Sequence, residues 1–362
     1  RPGTTVCGVP LAAAIGAFGG DPQKGLKTLE DITPRHVEMA QKLIANNAVD
    51  IAVEETPDFI HLDLTLSAGE NCCRVVVKGT HTNVVELYIN GQPQPLSEKQ
   101  NTRTQRETLP TFSLQQAYDF INCVDFNDIR FILDAARLNS ALAAEGKTKK
   151  YGLNINGTFS DAVKNGLMSN DLLSKVIINT VAASDARMGG APVVAMSNFG
   201  SGNQGITATM PVVVVAEHLG ADEETLARAL SLSHLTAISI HSRYTRLSAL
   251  CAASTAAMGA AAGMAWLFTR DINTINTAII NMVSDITGMI CDGASNSCAM
   301  KVSSVVSSAF KAVLMAMQNS CAGANDGIVC ADVEQTINNL CRLVIKPMTL
   351  TDKEIISIMV AK

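Results

Sequence analysis

An α+β fold is predicted for this chain, a small antiparallel-sheet module at the N-terminus followed by a mainly helical C-terminal domain. Three observations predict it. Four segments between residues 49 and 89 alternate apolar and polar residues or are rich in β-branched ones, the period of a half-buried strand. From Ser113 onward, apolar residues recur at helical spacing behind Asp, Asn or Ser caps. Between the two, Pro93 to Thr111 is polar and holds three prolines, the composition of a linker or surface excursion. The domains are therefore expected at residues 1–111 and 112–362.

In chain order, a Gly-rich apolar opening (Leu11 to Gly20) precedes a helix over 34–47, which Thr33 can cap and whose first turn suits Pro34. Strands are expected over 49–54, 59–66, 73–78 and 84–89, with Asn90-Gly91 marking a turn. Helices are expected over 113–122, 127–144, 170–187, 222–239, 242–268, 271–289, 299–318 and 331–341. No period of 20 to 50 residues repeats, which excludes a solenoid. Leu247 to Phe268 is uncharged and long enough to cross a bilayer. Its Ala, Gly and Ser content, with Gly259 and Gly263 one turn apart, reads instead as a buried helix with close backbone contacts.

The 362 residues are 47% hydrophobic and 17% charged, enough to bury a substantial core. A net charge of -5, without a basic run, gives no footprint for nucleic acid or an anionic membrane surface, so a small-molecule ligand is expected. Ten cysteines in apolar, non-repeating contexts are unlike a secreted disulfide framework and place the chain in a reducing cytoplasm. Residue 1 is Arg, and Arg1-Pro2-Gly3 reads as the middle of a longer protein, so the first module is expected to be N-terminally incomplete.

Three features carry chemistry. Gly200-Ser201-Gly202-Asn203-Gln204-Gly205 matches a dinucleotide fingerprint, but Pro211 interrupts the helix that should follow and no βαβ pattern surrounds it. Consecutive N–H groups at such a turn can hold a carboxylate, with Ser201, Asn203 and Gln204 adding side-chain bonds. A turn that serves packing alone accounts for it equally well.

Cys251, Cys291 and Cys298 sit among Ala, Gly and Ser, and three thiolates can hold an iron–sulfur cluster with one iron open to substrate. Asp292-Gly293 breaks the helix between the last two, so Cys291 should end one helix and Cys298 start the next. Zinc lacks a C-x-x-C pair or a neighbouring His. The competing reading, cysteine as a small buried hydrophobe, suits Cys72, Cys73, Cys123, Cys321 and Cys341. Of the six histidines, His81, in the loop between two strands, is the best placed of the N-terminal set for acid–base work.

These segments together resemble the L-cysteine desulfidase family, a group long known as an uncharacterised protein family, which shares its C-terminal domain with the α-domain of iron–sulfur L-serine dehydratases. The resemblance rests on Ser184 to Gly190, Ser197 to Gly205, Arg246-Leu247-Ser248 before Cys251, Cys291 to Ala294, and Cys298 to Val302. It covers nearly the whole chain, and the gaps from Cys251 to Cys291 to Cys298 match the family's ligand spacing.

The resemblance implies a helical domain like the serine dehydratase α-domain and a [4Fe–4S] cluster on Cys251, Cys291 and Cys298, with no pyridoxal phosphate. It implies β-elimination from a small amino acid, L-cysteine giving pyruvate, ammonia and sulfide, with L-serine as the alternative substrate. Ser197, Asn198, Ser201, Gly202, Asn203 and Gln204 would bind the substrate.

Relatives carry an N-terminal Gly-Cys-Thr-Glu-Pro segment that has no match here, which leaves His81 or Lys301 as the general base. Ser295 stands where relatives often have Lys. These departures also admit a non-catalytic iron–sulfur or amino-acid-binding protein. The small-residue helices can pack within one chain or across a homodimer.

Overall fold

The computed structural model describes residues 8–96 except 55, 57 and 59, residues 112–244, and residues 247–360. The chain forms two compact units that divide between Leu109 and Pro110.

The first unit opens with α1 (Val9–Gly19), a 3₁₀ segment (Pro22–Lys27) and α2 (Pro34–Ala45). Thr33 and His36 make a reciprocal cap at the start of α2: the Thr33 hydroxyl accepts from the His36 N–H, and His36 Nδ1 accepts from the Thr33 N–H. Leu11, Ala14 and Ile15 of α1 form a small core with Val37 and Ala40 of α2. The sheet is an antiparallel meander of β1 (His61–Ala68), β2 (Asn71–Lys78), β3 (Val84–Ile89) and the short β4 (Gln92–Pro93). Its register puts Leu62, Leu64 and Leu66 opposite Val77, Val75 and Cys73, so the alternation in the sequence becomes one apolar sheet face. Asn90 and Gly91 both take the left-handed backbone of a two-residue hairpin turn. Two expectations change: residues 49–54 are not a strand, because their alternation finds no neighbouring ladder, and the apolar opening is a helix.

The second unit is helical: α3 (Leu114–Cys123), α4 (Phe126–Ile129), α5 (Leu133–Gly146), α6 (Ile155–Lys164), α7 (Leu172–Met188), α8 (Gly202–Leu219), α9 (Glu223–His241), α10 (Ala252–Thr269), α11 (Ile272–Ile286), α12 (Cys298–Met317), α13 (Val333–Ile345) and α14 (Met348–Val360). Asp171, Asp222 and Asp271 cap α7, α9 and α11 by accepting from the N–H of Ser174, Thr225 and Thr274.

Helix α10 is buried from Ala253 to Leu267 and packs against α8, α9, α11 and α12. Its small residues allow this. A Cβ on Gly259 would overlap the Ser233 carbonyl of α9, and one on Gly263 would lie 2.8 Å from Val212 Cγ2 of α8. The expected bilayer-length segment is thus a central helix of the bundle. Among the described residues one helix, α12, has the length and hydropathy to span a membrane, and it too is more than half buried in the fold.

Of the expected helix over 242–268 only the part from Ala252 is helical, as α10; the described residues between His241, where α9 ends, and Cys251 are not, and Cys251 stands at the mouth of α10. The expected interruption at Pro211 does not occur: α8 runs through it. Proline removes the donor to the Thr207 carbonyl, and the packing of this buried helix outweighs that loss. Ser233 Oγ donates to the Ala208 carbonyl at 2.7 Å, and Thr209 Oγ1 donates to the Gly205 carbonyl at 2.7 Å.

Candidate active site

Helix α8 begins at a tight turn in which Asn198 and Ser201 exchange backbone hydrogen bonds of 3.1 and 2.9 Å. Phe199 and Gly200 between them both take positive φ, 47° and 85°. The three glycines answer to three constraints. Gly200 supplies the left-handed backbone, a Cβ on Gly202 would overlap the Arg187 guanidinium, and a Cβ on Gly205 would overlap the Met196 carbonyl. The apolar run at 192–196 that precedes the turn is not a strand, so the fingerprint lacks its dinucleotide setting. Ser201 caps the helix by accepting from the Gln204 N–H at 3.3 Å. The N–H groups of Gly202 and Asn203, in the first turn, have no partner within the helix.

Beneath this turn lies a buried amide–imidazole chain. Asn198 Nδ2 donates to His234 Nδ1 at 2.9 Å, and Gln204 Nε2 donates to Asn198 Oδ1 at 2.9 Å. Gln204 Oε1 accepts from His241 Nδ1 at 2.7 Å. At the other end, His234 Nε2 is 3.0 Å from Thr209 Oγ1, which also accepts from Asn139 Nδ2 at 3.1 Å. Because Asn198 gives its amide N–H to Nδ1, His234 carries its proton on Nε2; because Gln204 accepts from Nδ1, His241 carries its proton there. Complete burial lowers the His234 pKa to about 4, so the ring is neutral. The His241 ring lies between Phe199 of the turn and Tyr244, centroids 4.5 and 4.6 Å away.

The cysteines flank the same region. Cys251 is the N-cap of α10 and 8% exposed. Its N–H donates to the Met289 carbonyl at 2.9 Å, the Cys291 N–H donates to the Ala249 carbonyl at 2.7 Å, and Leu250 and Ile290 form the bridge between them. Cys298 is the first residue of α12, as expected. Cys291, expected to end a helix, instead lies five residues beyond Ile286, where α11 stops, because the bridge to Leu250 takes the chain out of helical geometry. The Cys298 thiol sits 3.5 Å from the Ser295 N–H and 3.6 Å from the Gly293 carbonyl.

Burial pushes the Cys251 thiol up to about 11; Cys291 and Cys298 add to the rise, and Lys301 opposes it. The three thiols thus share one electrostatic neighbourhood. Helix α14 reaches this region as well: the Asp352 carboxylate accepts from the Ala249 N–H, and Met359 approaches Gly293.

Of the expected ligand-binding residues, Asn198 and Gln204 are buried with their side chains engaged in the imidazole chain, and Asn203 bonds Ser184 and Met188. Ser197 is exposed at the rim. Lys301, one turn after Cys298, pairs with Asp292; burial alone would lower its pKa, and the Asp292 carboxylate outweighs that and raises it. His81 is exposed in the β2–β3 turn of the first unit. Arg246 lies outside the described residues.

Three residues in the site carry no specific role in the sequence reading: His234, His241 and Arg187. The two histidines stand seven apart among Ser and Thr on α9, two turns along one face, a spacing that marks a polar stripe inside an otherwise apolar helix.

A helical bundle with a polar helix start beside three neighbouring cysteines defines the class, and the chain belongs to the serine dehydratase alpha chain family, which it matches over residues 23–357. It is similar to a UPF0597 protein of Klebsiella pneumoniae subsp. pneumoniae, 99% identical over 361 residues, covering 100% of this chain and 85% of that relative. It is also similar to the UPF0597 proteins YhaM of Salmonella typhimurium and Salmonella typhi, each 50% identical over 367 residues, covering 100% of this chain and 84% of each relative. Membership points to lyase-type chemistry.

Proposed function

We propose that this protein is an iron–sulfur-dependent β-eliminating lyase that degrades L-cysteine to pyruvate, ammonia and sulfide. The observation that carries the reading is the Leu250–Ile290 bridge that sets Cys251 and Cys291 side by side, with the Cys298 thiol bonded to Gly293 just beyond Cys291 and two of the three cysteines at helix starts.

The donor set fits a [4Fe–4S] cluster. A single zinc ion would draw thiolates to about 2.3 Å of one point and take a fourth protein ligand in a structural site. A four-iron cluster spreads its ligands over the corners of a cube. Protonated and clustered in a mostly apolar region, the Cys251 thiol needs added positive charge before it can ionise. The Ser254 hydroxyl, fully buried one turn into α10 without a hydrogen-bond partner, is a donor suited to a cluster sulfur. When bound, such a cluster supplies a Lewis-acidic iron for a thiol or hydroxyl leaving group.

The chain's own residues do the rest. The Gly202 and Asn203 N–H groups and the positive end of α8 receive the substrate carboxylate, with the Ser197 and Ser201 hydroxyls at the rim. Asn198 and Gln204 hold the turn rigid through His234 and His241. The Cα proton falls to His81 or Lys301, which His81→Gln and Lys301→Met distinguish by which one abolishes Cα proton exchange with solvent.

L-Serine dehydration is the second reading, favoured by the description of the matching family. Anaerobically reconstituted protein given L-cysteine and L-serine in parallel decides: sulfide and pyruvate released in equal amounts support desulfidation, and pyruvate from serine alone supports dehydration. Tight binding of cysteine without product contradicts both and leaves a non-catalytic binding protein.

A further inference from the structure

Arg187 stands in the last turn of α7 with its guanidinium over Gly202, the first residue of α8. Its position is electrostatically adverse. It is half-buried, yet among the described residues no carboxylate is paired with it. Its polar contact is with the Met188 sulfur, 3.0 Å from Nη1, a weak acceptor. The nearest carboxylate in sequence, Asp185, is turned to Asn156, whose backbone and side-chain N–H groups donate to it at 2.9 and 3.1 Å. A guanidinium taken from water without an anion is costly, and seating it against the positive end of an 18-residue helix raises the cost. An anion between the two removes both penalties. A Cβ on Gly152 would touch both the Asp185 carbonyl of α7 and the side chain of Asn296, two residues before Cys298, which puts this end of α7 near the start of α12.

We propose that Arg187 is the specificity residue of the site, holding the substrate's α-carboxylate against the first turn of α8 and so restricting the protein to amino acids. The proposal rests on the lyase reading for its substrate class. A bidentate guanidinium–carboxylate pair fixes the plane of the carboxylate as well as its position. That in turn restricts the directions open to the β-substituent, three bonds from the carboxylate carbon.

Two thiol probes that undergo no elimination test this on the full chain, reconstituted anaerobically and titrated by calorimetry. One is β-mercaptopropionate, which carries the carboxylate and lacks the amine; the other is aminoethanethiol, which carries the amine and lacks the carboxylate. Arg187→Met is expected to weaken β-mercaptopropionate roughly tenfold to a hundredfold and to leave aminoethanethiol unchanged, with Arg187→Lys in between.

Equal β-mercaptopropionate affinity in wild type and Arg187→Met overturns the proposal. So does an equal loss of both probes together with iron content, which would make Arg187 a partner of the Cys298 thiolate. Should the Met variant fail to fold, as judged by circular dichroism, the Lys variant alone decides by the same ratio. Absence of pyruvate from wild-type protein would sink the lyase reading without touching this ratio, so the two failures are distinguishable.

Discussion

Complete burial of His234 makes it a sensor of acid at the scale of one residue, because both ring nitrogens are engaged in the neutral form. Its pKa falls from 6.5 to about 4 on folding, so the unfolded chain takes up the proton first. The contribution to stability is fully present above pH 6.5 and is lost as pH falls toward 4, at a cost of about 3 kcal/mol when complete. Thermal melts across that window should show wild type losing stability faster than His234→Gln; parallel curves would contradict the assignment. Gly205→Ala is expected to destabilise strongly, since its Cβ would overlap the Met196 carbonyl, and a melting temperature equal to wild type would contradict that geometry. The three cysteines were legible in the sequence by their small-residue setting and spacing. Arg187 and the histidines were not, because a guanidinium without an anion and a shared hydrogen-bond chain are properties of neighbours distant in sequence.

For the helices, close approach at glycine is the governing device. Gly259 of α10 admits the Ser233 carbonyl of α9, so Gly259→Ala should cost about 1–3 kcal/mol through overpacking. Gly288, with ordinary backbone and open space around it, is the control, and its alanine variant should melt close to wild type. Equal effects of the two substitutions would contradict the packing described for α10. Caps made most helix starts legible: Asp222, Asp271 and Asp332 each precede a helix at the expected place. Helix α8 was missed because Pro211 is a strong local breaker, and the burial that carries the helix through it comes from neighbours distant in sequence. The segment between α9 and α10 was read as helix because it runs into the uncharged stretch that begins at Leu247. What breaks the helix there is the pairing of Leu250 with Ile290, forty residues on.

Across the whole molecule, the sheet in one unit and the helical bundle in the other follow from the change of hydrophobic period between residues 89 and 113, which the sequence displays directly. The assembly of the site does not. Residues from α7, α8, α9, α10 and α12 converge only once α10 is packed at the centre. The central claim is that the fold gathers three cysteines to hold the group that makes β-elimination feasible. The rate of pyruvate formation by reconstituted wild type and by Cys298→Ala, with helicity compared by circular dichroism, tests it most directly. The account predicts turnover in wild type and its loss in a variant that keeps its helical fold, and undiminished turnover in Cys298→Ala would contradict it.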